Sequence, residues 1–282
     1  MVGAPIAMAR APITDLPTHR VTNQPPPLLD YDVIAGDAAL REAVVREGAG
    51  WAADRLRRLG QAAGSARFIE AGFLANEHPP RLRGFDRFGQ RIDEVEFHPA
   101  YHQLMGLGIE HRLPSLPWAE PRAGAHVTHA AMVYLLSQAE GGVLCPLVMT
   151  YAAVPALRHQ PDVAAAWLPK LLDGQYDPRC IPAADKLGVT FGMAMTEKQG
   201  GSDVRANATT ATPIGKRGAG QEYLLRGHKW FCSAPMCDAF LTLANTAGSA
   251  SGEGLSCFLV PRWRPDGTRN RFFIQRLKDK LG

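Results

Sequence analysis

Long apolar runs are missing from this 282-residue sequence. The longest nearly continuous one, Val143 to Leu157, is interrupted by Pro146 and Thr150. It falls short of the roughly 18–20 residues that a membrane span requires, so neither a transmembrane helix nor a membrane partner is expected. The N-terminal stretch has no basic region ahead of a continuous apolar core and does not read as a secretory signal, which makes a cytoplasmic location the expectation. Charge of one sign is not in excess either. With 31 Lys+Arg against 27 Asp+Glu the formal net charge is +4, too little by itself to argue for nucleic acid or an anionic surface. Five cysteines (Cys145, Cys180, Cys232, Cys237 and Cys257) form no CxxC and are expected to be reduced thiols. No GxGxxG, Walker A sequence or fixed-period repeat occurs, which disfavours a dinucleotide-binding Rossmann unit, a P-loop or a solenoid.

What is present is an ordinary globular composition, 46% hydrophobic and 21% charged, enough for a real core and incompatible with wholesale disorder. Pro25, Pro26 and Pro27 mark residues 1–35 as an extended arm. Residues 36–185 read as a helical domain. Asp37 and Ser65 are candidate N-caps, Leu40, Val44 and Val45 share one predicted face, and further helices are expected around 99–112, 124–140, 146–159 and 162–173. After Asp177-Pro178 the period changes. Gly188–Met195, Tyr223–Arg226, Phe240–Ala244 and Leu255–Val260 read as strands, so 186–282 is expected to be a β domain. Helices first and strands second predict an α+β chain, not alternating βαβ units.

Two stretches carry candidate chemistry. Gly192-Met-Ala-Met-Thr-Glu-Lys-Gln-Gly-Gly-Ser-Asp203 follows a predicted strand and opens into a glycine turn, offering backbone N–H groups and the Thr196 and Ser202 hydroxyls to a polar or phosphate-bearing ligand. Gly227-His-Lys-Trp-Phe-Cys-Ser233 also begins at a strand end. If extended, it puts Phe231 and Ser233 on one face, an aromatic surface beside a hydroxyl. Taken singly, each stretch also suits a bland role, a capped turn or a half-buried core strand.

Together they resemble the signatures of the acyl-CoA dehydrogenase family, and more closely its AidB-like branch, linked to the adaptive response to DNA alkylation. Met195, Thr196, Glu197, Gly201, Ser202 and Asp203 match the first signature; Phe231, Cys232 and Ser233 stand where the second commonly has W-I-T or W-I-S. Phe231 keeps an aromatic face and loses the indole N–H. Branch-level similarity extends through THRVTNQ (18–24), REGAGW (46–51), FHPAYH (97–102), LCPLVMT (144–150) and the closing LKDKLG.

The resemblance implies an N-terminal helical domain followed by an antiparallel β-barrel or sandwich, with FAD as cofactor and an acyl-CoA or related small molecule as substrate. It further implies duplex DNA as a possible partner and a homo-oligomer, a tetramer in the family. Met195, Thr196, Gly201, Ser202, Phe231, Cys232 and Ser233 are the implied cofactor-binding residues. The Thr196 and Ser233 positions serve the isoalloxazine ring, Ser233 near N5, and Ser202 reaches toward the pyrophosphate. The implied reaction is α,β-dehydrogenation with hydride transfer to flavin N5. No catalytic residue is carried over: the family's base belongs to a C-terminal helical bundle beyond Gly282, and Glu197 belongs to the signature instead. Alternatives from other classes are a non-catalytic DNA-associated or scaffold protein, and an inactive truncated product.

His98 with His102, and His126 with His129, lack a neighbouring carboxylate or thiolate set, so no metal site is expected. Cys232 and Cys237 are not expected to form a redox pair. The cluster Arg262, Arg264, Arg269, Arg271, Arg276, Lys278 and Lys280 reads as a solvated hairpin edge or a phosphate-binding surface.

Overall fold

The computed structural model describes residues 13–246 and 254–279; residues 1–12 of the expected arm and Lys280 of the basic cluster lie outside the described residues. A two-residue ladder, β1 (Asp15–Leu16) with β2 (His19–Arg20), precedes the helices α1 (Val33–Gly36), α2 (Ala38–Arg46), α3 (Ala53–Ala63) and α4 (Ala66–Glu77). The caps expected at Asp37 and Ser65 are made: their side chains accept from Leu40 N at 2.8 Å and Phe68 N at 3.4 Å. Val45, expected on the inner face of α2, is 68% exposed, while Val44 is buried.

A β-hairpin then interrupts the helical run: β3 (Arg81–Phe85) pairs antiparallel with β4 (Arg91–Glu96). The Asp86 carboxylate turns the chain by accepting from Phe88 N and Gln90 N at 2.8 and 2.9 Å. Helices resume with α5 (Pro99–Glu110), α6 (Leu116–Ala119), α7 (Ala125–Ser137), α8 (Leu144–Arg158) and α9 (Pro161–Leu172). Their core gathers Leu56, Leu59, Leu104, Met105, Leu113, Met132, Leu135 and Leu147, with Val33 and Ile34 of α1 buried beside them. Among the described residues no helix is long and apolar enough to cross a membrane.

The β unit comprises β5 (Phe191–Ala194), β6 (Thr210–Pro213), β7 (Tyr223–Arg226), β8 (Ala239–Thr246) and β9 (Leu255–Pro261). The expected order, helices then a β-sheet, is therefore observed, and no helical bundle follows among the described residues. Pairing in the sheet is mixed and not wholly antiparallel: β8 runs parallel to β5 and β6, and antiparallel to β9 and thus along its other edge. The reason is the connection. Between β5 and β8 the chain makes the signature loop and the β6–β7 hairpin, long enough to return β8 in the direction of β5.

Helices α8 and α9 cover one face of this sheet, packing Ala153, Val154, Leu157 and Leu171 on Phe191, Ala239 and Leu241. Burying these side chains contributes about 1.5–3 kcal/mol for each large one. Polar groups fix the register of the contact. Thr150 Oγ1 accepts from Phe191 N at 3.0 Å across it; within the β unit, the Lys186 ammonium and Asp238 carboxylate form a buried pair at 2.6 Å whose acid also accepts from Thr190 N at 2.8 Å.

The basic cluster is divided. Arg262 is buried and Arg269 half-buried, so neither belongs to a solvated edge. Arg262 donates to the Pro235 carbonyl and to Asp93 O at 2.7 Å; Arg269 donates to the Ile92 carbonyl and to Glu94 at 3.0 Å. They tie the chain after β9 to the β3–β4 hairpin. Arg264, Arg271, Arg276 and Lys278 are exposed.

Candidate functional site

Strand β5 delivers the first signature stretch. Beyond Ala194 the chain leaves the sheet, and Glu197 and Gly200 close a tight turn through N–H to carbonyl bonds of 3.4 and 3.1 Å. Gly201 then passes so close to Thr196 that a Cβ there would stand 2.9 Å from Thr196 Cγ2 and 3.0 Å from its Oγ1. Only glycine lets the loop approach this hydroxyl without displacing it.

The second stretch returns beside the first. Trp230 N donates to Thr196 O at 2.9 Å, and Ser233 N donates to Met193 O at 3.3 Å in an isolated antiparallel bridge. Between these rungs the chain is not a strand. Phe231 has a φ of 60°, a left-handed backbone that breaks the alternation expected to put Phe231 and Ser233 on one face, and Ala234, just past the second rung, has a φ of 52°. Phe231 is 50% exposed, whereas Cys232 and Ser233 are partly covered. Burial pushes the Cys232 thiol up to about 12, so it is no nucleophile near neutral pH.

Glu197 locks the two stretches together. Only 3% exposed, its carboxylate accepts from Ala208 N at 2.7 Å, Thr209 N at 2.9 Å, Thr209 Oγ1, Gln199 Nε2 at 2.6 Å and Lys229 Nζ at 3.1 Å. Burial alone pushes this acid up. The bonds from Thr209, Ala208 and Lys229 outweigh it and hold the group at about 2, the state of an anchored anion and not of a base that cycles its proton. Asn207 adds a bond to Met195 O at 3.0 Å.

All seven sequence-implied residues thus lie on two touching segments, Met195, Thr196, Gly201 and Ser202 on one and Phe231, Cys232 and Ser233 on the other. Among the described residues the hydroxyls of Thr196, Ser202 and Ser233 have no hydrogen-bond partner. Uncharged donors beside an exposed aromatic face fit a flat ring with acceptor atoms on its edge, as in a flavin. The sequence reading did not single out Lys229, although it stands inside the second motif, and it placed Arg276 and Lys278 in the basic cluster without linking them to the aromatic pair. Lys278 Nζ lies 4.3 Å from the Phe231 ring centre, with Lys198 and Arg276 at 5.4 and 5.5 Å from that of Trp230.

The histidines have protein partners. His98 caps α5 through Ala100 N, His102 bonds Tyr176 Oη at 2.8 Å, His126 bonds Tyr151 Oη at 2.8 Å, and His129 bonds Leu113 O at 2.8 Å.

Residues 23–178 match the adaptive response protein AidB N-terminal domain, and residues 192–282 match the acyl-CoA dehydrogenase middle domain. Over 267 residues the chain is 49% identical to the putative acyl-CoA dehydrogenase AidB of Escherichia coli (strain K12), covering 94% of this chain and 48% of that protein. It is 33% identical over 220 residues to acyl-CoA dehydrogenase family member 11 of Caenorhabditis elegans, covering 75% and 34%. The chain therefore spans about half the length, or less, of these relatives. Among solved structures, the apo form of Bd2924 superposes with a TM-score of 0.77 at 31% identity, covering 90% of this chain and 50% of that one. A Caenorhabditis elegans relative in complex with C11-CoA gives 0.77 at 27% identity, covering 96% and 47%. With two family domains matched in the order of the fold and the signature segments in contact, the chain belongs to the acyl-CoA dehydrogenase family, in its AidB-like branch.

Proposed function

We propose that this chain forms the flavin-holding part of an FAD-dependent acyl-CoA dehydrogenase of the AidB-like type. The observation that carries the reading is the backbone contact between the two signature segments, whose Thr196, Ser202 and Ser233 hydroxyls have no hydrogen-bond partner among the described residues. Thr196 and Ser233 would hold the isoalloxazine ring by donating hydrogen bonds to its edge. Ser202, next to the close-approach Gly201, donates to the pyrophosphate, and Phe231 supplies an apolar wall. Cys232 contributes backbone and bulk, its thiol remaining protonated.

When bound, FAD supplies the hydride acceptor for oxidation of an acyl thioester across its α,β bond. The hydroxyls and backbone amides here would orient the ring, with Lys278 over Phe231 adding a cation nearby, and Glu197 holds the loop that carries them. Glu197 is not assigned as the α-proton base, because its oxygens are taken up by five donors. The acyl-CoA substrate class rests on family membership and on the C11-CoA complex of the Caenorhabditis elegans relative. A role in the DNA-alkylation response, duplex DNA as a partner and a homo-tetramer rest on the branch resemblance. The exposed Arg264, Arg271, Arg276 and Lys278 lend the DNA contact its charge.

The test is a visible absorption spectrum of the 282-residue protein after incubation with FAD and removal of free cofactor. A retained flavin band, shifted from that of free FAD and lost in a Thr196→Val/Ser233→Ala double variant, is the expected result. No retained flavin under any loading condition overturns the proposal for this chain.

A further inference from the structure

A cavity of about 140 Å³ opens between the β3–β4 hairpin and the chain after β9. Arg91, Arg262, Arg269 and Arg271 line it together with one acid, Asp93, and Trp263 and Phe272 are among its walls. Two of these charges are matched. Arg91 Nε stands 2.7 Å from the Asp93 carboxylate, and Arg269 stands 3.0 Å from that of Glu94. The other two are less closely matched: among the described residues, Arg262 and Arg271 have no carboxylate within ion-pair distance, although the more distant Asp238 acts on Arg262.

Arg262 makes this imbalance costly. It is 8% exposed, and its donors go to neutral acceptors, the carbonyls of Pro235 and Asp93, with Cys180 Sγ at 3.9 Å. Carbonyl dipoles satisfy N–H groups without cancelling a full charge, and a guanidinium cannot lose its proton to escape the problem. Four guanidinium groups face one carboxylate, that of Asp93, in the lining, so the space beside Arg262 favours a further negative charge. That space is several times the roughly 30 Å³ share of one water molecule. An oxyanion with several acceptor oxygens matches the forked donors, and the aromatic walls leave room for a flat group attached to it.

We propose that this cavity is a phosphate-binding site, separate from the flavin signatures, which takes the phosphate group either as the free ion or on a mononucleotide. The proposal is independent of whether the chain holds FAD.

The experiment follows thermal unfolding of the 282-residue protein in rising inorganic phosphate, with potassium chloride at matched ionic strength as control. A ligand that binds only the folded state raises the midpoint by mass action, so a saturable rise above the chloride control is expected. Arg271→Gln removes an exposed side chain with no contact needed for folding, and should raise the half-saturating phosphate concentration about tenfold. Arg264→Gln, an exposed arginine outside the cavity, should leave it unchanged. Adenosine monophosphate in place of phosphate separates the sources: tighter binding assigns a mononucleotide, and equal binding assigns the phosphate group alone. No rise beyond chloride overturns the proposal. So does an equal effect of Arg271→Gln and Arg264→Gln, which means diffuse surface charge.

Discussion

The Lys229 ammonium lies 3.1 Å from the Glu197 carboxylate, joining two signature segments that are more than thirty residues apart in sequence. Both side chains are largely buried, so each neutralises a charge that water cannot reach. Glu197→Gln leaves Lys229 unpaired, and should cost about 2–4 kcal/mol in urea-induced unfolding.

The same pair sets a pH dependence. The Glu197 acid falls from an ordinary 4.5 to about 2 in the folded chain, so as pH drops the unfolded chain takes up the proton first. Its stabilisation is complete above about 4.5 and is lost progressively as pH falls toward about 2. Denaturation midpoints of the wild type should decline over that window more steeply than those of Glu197→Gln. Parallel declines would assign the acid limb to other carboxylates.

Gly192 lies where a Cβ would stand 2.6 Å from the Phe240 ring and 2.8 Å from Ser233 O. Neither neighbour is a flexible chain end. Gly192→Ala should therefore destabilise by about 1–3 kcal/mol and, by pushing the second segment away, weaken flavin retention as well. Calorimetry and a cofactor titration would report the two effects separately.

Left-handed backbone separates Ala234 from Phe231 in its consequences. At φ of 52° an alanine is strained, and Ala234→Gly should relieve that strain, raising stability by about 0.5–1 kcal/mol. Phe231→Gly relieves a similar strain at φ of 60° and should lose flavin binding, because the ring face goes with it. Equal flavin affinity in the two variants would remove Phe231 from the site.

Asp238→Asn tests the buried ion pair that ties the chain before β5 to the start of β8. It leaves the buried Lys186 ammonium without a counter-charge, and a loss of about 3–5 kcal/mol is expected in chemical denaturation. A loss below about 1 kcal/mol would mean that the pair adds little.

The helices were legible because their signals are local. Asp37 and Ser65 announce their caps, and apolar spacing with Gly or Pro boundaries gives the later helices to within a few residues. The β3–β4 hairpin was missed although Arg91–Glu96 alternates, since its turn uses an Asp86 side chain and not a two-residue Asn-Gly signal. Strand β6 was missed because four residues, TATP, carry almost no period. At the site, the residue set came from motif matching, whereas its shape depended on contacts that no local pattern encodes. Gly192 under Phe240 and Trp230 against the Thr196 carbonyl are set by the sheet, and they bend Phe231 out of strand geometry.

The clasp between the hairpin and the chain after β9 also orders events in time. Ile274 N donates to Asp93 at 3.0 Å and Arg91 to Ile274 O at 3.1 Å, partners separated by 181 and 183 positions. During synthesis the hairpin leaves the ribosome long before its partners exist, and Asp93 stays hydrated until residue 274 has been made. Contacts of such separation close late and slowly, because the loop entropy is lost before they form. The hairpin should thus be among the last parts of the chain to gain hydrogen-exchange protection, together with residues near 274, although most of the helical core precedes both in the sequence.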